Sequence, residues 1–389
     1  MLSFIVFSML LNSMSVIILQ LSQNQQHSYT GLGMLEFFKD IPIALVSIFM
    51  VDYIKKRSYY SSLSIALIIC TLCSFTIPFV SEFWFLKIWF ILIGISFSIG
   101  KICVFSIIKN ISDNEKDFSK TMSRTEAAFM LGVFIVNIEF AIILNSDYKD
   151  YWKFGFWLVG IISSWAAFQF YRIDKQNVFE IDKSQGKEVI DFRILFDYKS
   201  ILFFTIVVII VFTEQIFNSW LPTFYKHTLK ADSFFALQSS AFLALFSFIG
   251  RLLASKAVVK FSPMKIFFFC LISGIILTSS AYIIGQDTDV KVKILMFLFP
   301  MVGIFTAPLY PMLNSKYLSK FSERRVGKIV SIIILFTSLG GSIGSMSTAY
   351  IFQKNLGNYY LLFATIPLIL ILIFSTFFSI KEKISEYIK

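Results

Sequence analysis

An all-α membrane protein, twelve transmembrane helices in two six-helix bundles, is the fold this sequence predicts. Three observations predict it. Of 389 residues, 57% are apolar and 15% charged, against roughly 45–50% and about 25% in an ordinary soluble domain, and the mean hydropathy is +0.75. A soluble globule of this length has too much skin to hide so much apolar surface, and the same composition excludes a disordered chain. Twelve apolar runs near the ~20 residues needed to cross hydrocarbon follow one another. Lys and Arg, finally, gather on alternate loops.

The first run, 2–21, has no basic start and no small-residue cleavage site after it. It therefore reads as a span and not as a leader. Runs at 31–52, 60–80, 83–108, 124–145 and 152–171 complete a first group. The longest gap follows, polar and carrying Asp174, Lys175, Glu180, Asp182, Lys183, Lys187 and Glu188. Runs at 200–224, 233–258, 263–284, 292–313, 326–352 and 358–380 form a second group. The expected organisation is a bundle over 1–172, a cytoplasmic linker over 173–198 and a bundle over 199–389.

With both termini in the cytoplasm, the inner loops and tail hold 25 of the 35 basic residues and the outer loops 7; Lys39, Lys87 and Lys101 lie within spans. That asymmetry sets a multi-pass inner-membrane topology. It also accounts for the net charge of +11 by contact with the lipid bilayer and not with nucleic acid. Cys70, Cys73, Cys103 and Cys270 all fall in apolar runs, where thiols pack as small apolar groups. With two histidines, both in expected loops, no metal site can be assembled. No phosphate-binding G-x-x-x-x-G-K-[ST] occurs, and no cofactor is expected. The inventory argues against an enzyme, which would need clustered His, Asp or Ser at one face, and against a channel, which would need a ring of like residues.

Ionisable groups inside hydrocarbon cost roughly 2.5–3.5 kcal/mol each on insertion scales, so each asks for a partner or a function. Glu36, Lys39 and Asp40 share one face of span 2 by their i, i+3, i+4 spacing. Asp40 lies about 18 Å above Asp52 at ~1.5 Å per residue, near mid-bilayer, so that face meets the bundle interior. Mutual pairing of Lys39 or Lys101 with Asp40 is one reading; a role in binding solute or protons is the other. Lys101 sits about 10 Å inside span 4, and Glu214, beside Gln215, about 21 Å up span 7. Glu139 lies nearer the outer surface. Trp220, close to the outer end of span 7, reads as an interfacial anchor or as a stacking platform for a ring. Tyr310 lies between Pro308 and Pro311, which loosen span 10. Gly340 and Gly344 form a G-xxx-G suited to close helix contact within a monomer.

The two groups also resemble each other. Asp52-Tyr-Ile-Lys-Lys-Arg57 after span 2 and Gly250-Arg-Leu-Leu-Ala-Ser-Lys256 after span 8 are offset by about 200 residues, as are spans 1 and 7. Duplicated halves place a site between them near the midplane. With this repeat, six plus six spans and basic loops at 2–3 and 8–9, the chain resembles the major facilitator superfamily. Asp52, Lys56 and Arg57 match its G-x-L-x-D-R-x-G-R-R loop, and Gly250 matches in the second half. Thr213–Tyr225 and Gly303–Pro311 look like stretches of the fucose/galactose–proton symporter branch, although that branch's acidic residue in span 1 is absent.

The resemblance implies a major facilitator fold whose helices 1, 4, 7 and 10 line a central cavity. It implies a secondary active transporter for a small polar organic solute, coupled to protons by alternating access. A proton-driven exporter of a drug, siderophore or metabolite is the alternative. Glu36, Lys39, Asp40, Lys101, Glu214, Gln215, Trp220 and Tyr310 are the expected solute- and proton-binding residues. Asp52, Lys56, Arg57 and Arg251 are the expected gate at the cytoplasmic mouth.

Overall fold

The structure, a computed structural model, describes residues 1–23, 28–50, 53–54, 58–111, 115–176, 197–258, 260–284, 291–318 and 323–387. Among the described residues there is no strand. Ten helical runs are long and apolar enough to cross a membrane. Two more occupy the expected places of spans 2 and 10 but are broken. Span 2 comprises Tyr29–Gly33 and Leu35–Phe49, with three ionisable side chains within five residues. Span 10 comprises Lys291–Leu298, Val302–Thr306 and Leu309–Leu318. Its breaks fall at Pro300 and Pro308, which lack the N–H that would continue the helix. The chain thus makes twelve passes in two six-helix bundles. Of the expected linker, residues 177–196 lie outside the described residues.

Several helices outrun their apolar stretches. Span 4 is Phe83–Asn110 and span 5 is Glu115–Leu144, whose first turns are polar. Span 7, Tyr198–Thr223, starts where the Asp197 side chain accepts from the Ser200 N–H at 3.3 Å; it ends in a widened π turn over Phe224–Thr228. Span 8 is Ser233–Ala257 and span 11 is Glu323–Gln353. The Cys70–Cys73 pair is buried and free, and the Trp89 indole donates to the Cys73 carbonyl at 2.8 Å. The pair packs as apolar filler.

Spans 7 and 11 approach very closely at the expected G-xxx-G. A Cβ on Gly344 would lie 2.6 Å from the Phe212 carbonyl oxygen, and one on Gly340 2.5 Å from that of Val208. The motif is an intramolecular packing face.

The buried apolar side chains show how the bundles meet. One continuous cluster takes in the first bundle and runs on through Ile216, Trp220, Phe224, Phe299, Phe352 and Tyr360 of the second. These lie toward the end away from the chain termini, hereafter the distal end. The rest of the second bundle's core, including Phe203, Phe267, Tyr317 and Ile371, forms a separate cluster at the terminal end. Among the described residues, the apolar cluster shared by the two bundles takes in the distal end.

Candidate functional site

The Glu36, Lys39 and Asp40 side chains face the interior, as their spacing requires, and are 0%, 7% and 8% exposed. Lys39 forms an ion pair with Glu36 and approaches Asp40 Oδ1 at 3.8 Å. The remaining polar capacity is met from the other bundle. Gln215 Nε2 and Ser219 Oγ of span 7 donate to Glu36 Oε1 at 2.5 and 2.7 Å, and Ser342 Oγ of span 11 donates to Asp40 Oδ2 at 3.0 Å. Burial of three charges is tolerable only with this degree of pairing. Glu36, Lys39, Asp40 and Gln215 therefore knit the bundles together and do not line an open site. The reason is local: span 2 packs directly against span 11, and Gln215 and Ser219 of span 7 reach across to Glu36.

A second group of charges is arranged differently. Glu214, Phe217 and Asn218 of span 7, Leu243, Ser247 and Arg251 of span 8, Thr306 and Ala307 of span 10 and Met130 of span 5 surround a small recess of about 20 Å³, room for about one water molecule. Arg251 Nε reaches the Ala307 carbonyl at a long 3.4 Å. Glu126, one turn before Met130 on the same face of span 5, and Arg251 both lie within electrostatic reach of Glu214. Lys101, flanked by Phe97 and Phe105 at 5.7 Å each, lies within reach of Glu126 and Arg251. Tyr310, bonded to Asn314, feels the charges of Glu126, Glu214 and Arg251. Among the described residues, the two contacts of Lys39 are the only ion pairs within 4.0 Å. Glu126, Glu214, Lys101 and Arg251 thus form no ion pair with one another among the described residues.

At the distal end the bundles are sealed. Ser22 Oγ and His227 Nε2 are 3.1 Å apart, and the Tyr29 N–H donates to Gln353 Oε1 at 2.9 Å. The Tyr29 ring packs against Trp220, His227 and Phe352. Trp220 is fully buried, stacks on Phe352 with centroids 5.6 Å apart and donates its indole N–H to Ser345 Oγ at 2.9 Å. It is neither an interfacial anchor nor a platform open to the recess. Partners on both sides, Tyr29 of span 2 and Phe352 of span 11, remove it from lipid and water alike.

Of the expected gate, Asp52, Lys56 and Arg57 lie outside the described residues. Arg251 does not stand at a loop but inside span 8, on the recess. Glu139 is also less solvated than its position implies, since its Oε2 is buried without a hydrogen-bond partner. Lys101, Glu214 and Tyr310 each lie within electrostatic reach of Glu126 and Arg251. Sequence reasoning missed Glu126, Asn218 and Ser247. Glu126 follows Arg124 at the start of an apolar run and so looks like a mouth residue. The helix begins at Glu115, however, which puts Glu126 about 16 Å along it. The polar run 115–123 ahead of it was the available signal.

The fold has many solved relatives. The chain is similar to a D-xylose–proton symporter (TM-score 0.74, 16% identity, covering 96% of this chain and 95% of that one). It is similar to the nucleoside transporter NupG (0.73, 13%, 97% and 97%) and to the E. coli fucose:proton symporter FucP (0.66, 15%, 97% and 97%). No curated protein matches by sequence. The family model described as Major Facilitator Superfamily matches residues 1–345. Twelve passes, a charged recess between two bundles and this match together place the chain in the Major Facilitator Superfamily, a family of transporters.

Proposed function

We propose that the protein is a proton-coupled secondary active transporter that moves a small polar organic solute across the inner membrane by alternating access. The observation that carries this reading is the charged recess between the bundles, lined by Glu214 and Arg251 from one and Met130 from the other. A site in that position is exposed to either side by rocking one bundle on the other. The fused apolar packing at the distal end, against separate cores at the terminal end, supports an arrangement that opens toward the termini. Resemblance to symporters for xylose and fucose and to a nucleoside transporter supports a small polar solute.

Glu214 is the proton carrier in this scheme. Protonation removes the negative charge that faces Arg251, leaving Arg251 to bind the solute; release of the proton restores that charge, which competes with the solute and expels it. Lys101 and Tyr310 face the same solute from spans 4 and 10. Glu36, Lys39 and Asp40, with Gln215, Ser219 and Ser342, act as a polar latch that must part when the distal end opens. Asp52, Lys56 and Arg57 close the terminal end in the opposite state. The protein works as a monomer, with both termini in the cytoplasm.

The test is uptake into proteoliposomes of the full chain, from a panel of labelled sugars, nucleosides, amino acids and organic anions, with and without an imposed proton gradient. The gradient accelerates uptake of at least one solute. Glu214→Gln loses that acceleration while keeping gradient-independent exchange of the same solute. Gradient-driven uptake by Glu214→Gln at the parent rate eliminates Glu214 as the carrier.

A further inference from the structure

The seam between span 2 and the second bundle does not balance its charge. Span 2 brings two carboxylates, Glu36 and Asp40, and one ammonium, Lys39, all of them buried. The second bundle answers with neutral groups only: Gln215 and Ser219 of span 7 and Ser342 of span 11. Span 11 has no ionisable side chain between 329 and 349. On span 4, where Gly94 packs against the Lys39 carbonyl, the charged side chains flanking that contact are Lys87 and Lys101, each about two turns away. Lys87 is turned to the Phe38 and Phe83 rings at 5.4 and 5.3 Å, and Lys101 to Phe97 and Phe105. Glu214 of span 7 lines the recess. With every group ionised, the closed seam holds one negative charge too many.

The excess falls on Asp40. Glu36 Oε2 is ion-paired with Lys39, and Glu36 Oε1 accepts from both Gln215 Nε2 and Ser219 Oγ, so Glu36 is matched as an anion. Asp40 Oδ2 accepts from Ser342 Oγ at 3.0 Å. Among the described residues Asp40 Oδ1 has only Lys39 Nζ, at 3.8 Å, which is beyond hydrogen-bond reach, and that ammonium is already committed to Glu36. A leftover charge in a buried seam is costly, and two carboxylates sharing one cation do not both stay ionised there. A proton on Asp40 cancels the excess and needs no cavity. When the bundles part, water replaces the three neutral donors and solvates both carboxylates, which removes the reason to hold that proton.

We infer that Asp40 is a second proton site, occupied while the distal end is closed and vacated when it opens. This rests on the latch reading above and is separate from the proton on Glu214. Asp40 meets distal water only in the open state, so its proton comes from that side and returns there. It sets the balance of states and is not itself carried across. Because the closed state binds one proton more, raising the pH opens the distal end, lowering the closed-to-open ratio by up to about tenfold per pH unit.

The experiment is pulsed electron resonance between spin labels at Glu82 and Lys354, exposed at the distal ends of the two bundles, on the full chain in solute-free nanodiscs from acid to mildly alkaline pH. In the parent and in Glu214→Gln the closed population falls as the pH rises. In Asp40→Asn that dependence is lost and the closed population stays at its acid value, because the amide keeps the shape without the charge. Ser342→Ala removes a donor that favours the ionised carboxylate, so it depletes the closed state more at alkaline than at acid pH and widens the swing between them. Where Asp40→Asn fails to fold, Ser342→Ala decides, and an equal loss at both ends of the pH range overturns the assignment. The parent's pH dependence retained in Asp40→Asn overturns it too, as does a closed population in Glu214→Gln that ignores pH or rises with it; alternation stands in each of these cases. A single distance in every variant at every pH removes alternation itself, and this inference with it.

Discussion

At the scale of single residues, the same chemical type does opposite work in two places. Lys39 is locked between Glu36 and Asp40 in a buried, hydrogen-bonded seam, whereas Lys101 lies between the Phe97 and Phe105 rings with Glu126 beyond ion-pair distance. Removing one member of a buried, paired set leaves the others uncompensated, which costs about 3–5 kcal/mol. Lys39→Met accordingly lowers the melting temperature of the purified protein and leaves Glu36 and Asp40 without a cation. Lys101→Met, by contrast, leaves the melting temperature close to the parent's and weakens solute binding. Parallel melts and uptake assays check both outcomes. Spacing on span 2 was enough to read that Glu36, Lys39 and Asp40 turn inward. It could not tell a sealed seam from an open site, because that depends on Gln215, Ser219 and Ser342, between 179 and 302 residues away along the chain.

At the scale of elements, the legibility of the chain followed the physics of the bilayer. Spans of about 20 apolar residues were readable because hydrocarbon demands them. Helix ends were less so, because nothing in a polar flank forces a helix to stop at the membrane surface. Span 5 runs from Glu115, well before the apolar run at 124–145. Arg251, inside the run 233–258 yet read with the basic residues of the cytoplasmic gate, stands on the recess instead. Broken spans were half legible: the prolines of span 10 mark its breaks, while the break near Met34 in span 2 has no proline to mark it. The contact between spans 7 and 11 gives the clearest packing prediction. Gly344→Leu drives a side chain into the Phe212 backbone and lowers stability by at least about 1–3 kcal/mol, the usual cost of overpacking. Detergent-solubilised yield and melting temperature report it, and Gly344→Ala falls between the two.

At the scale of the whole molecule, two bundles meet on a shared polar and apolar seam that takes in the distal end. A link that holds the distal ends together should stop transport without unfolding the protein. Ser22 and His227 stand in hydrogen-bond contact across the bundles, so Ser22→Cys and His227→Cys are joined by a short, reductant-cleavable bis-thiol crosslinker. Uptake is lost on crosslinking and restored by reductant. The four native cysteines are buried and do not compete for the bond. The superfamily was readable from repeat and loop pattern alone. The recess as a whole was not, because its lining comes from spans 5, 7, 8 and 10 and its outer charges from span 4, none adjacent to the other bundle's members in sequence.

The most direct test of alternation is a distance measurement between spin labels at Glu82 and Lys354, exposed positions at the distal ends of the two bundles. Pulsed electron resonance on the full chain in lipid nanodiscs, at low and neutral pH and with a transported solute, predicts two distance populations whose ratio shifts with pH and with solute. A single distance, unchanged under every condition, would contradict the account.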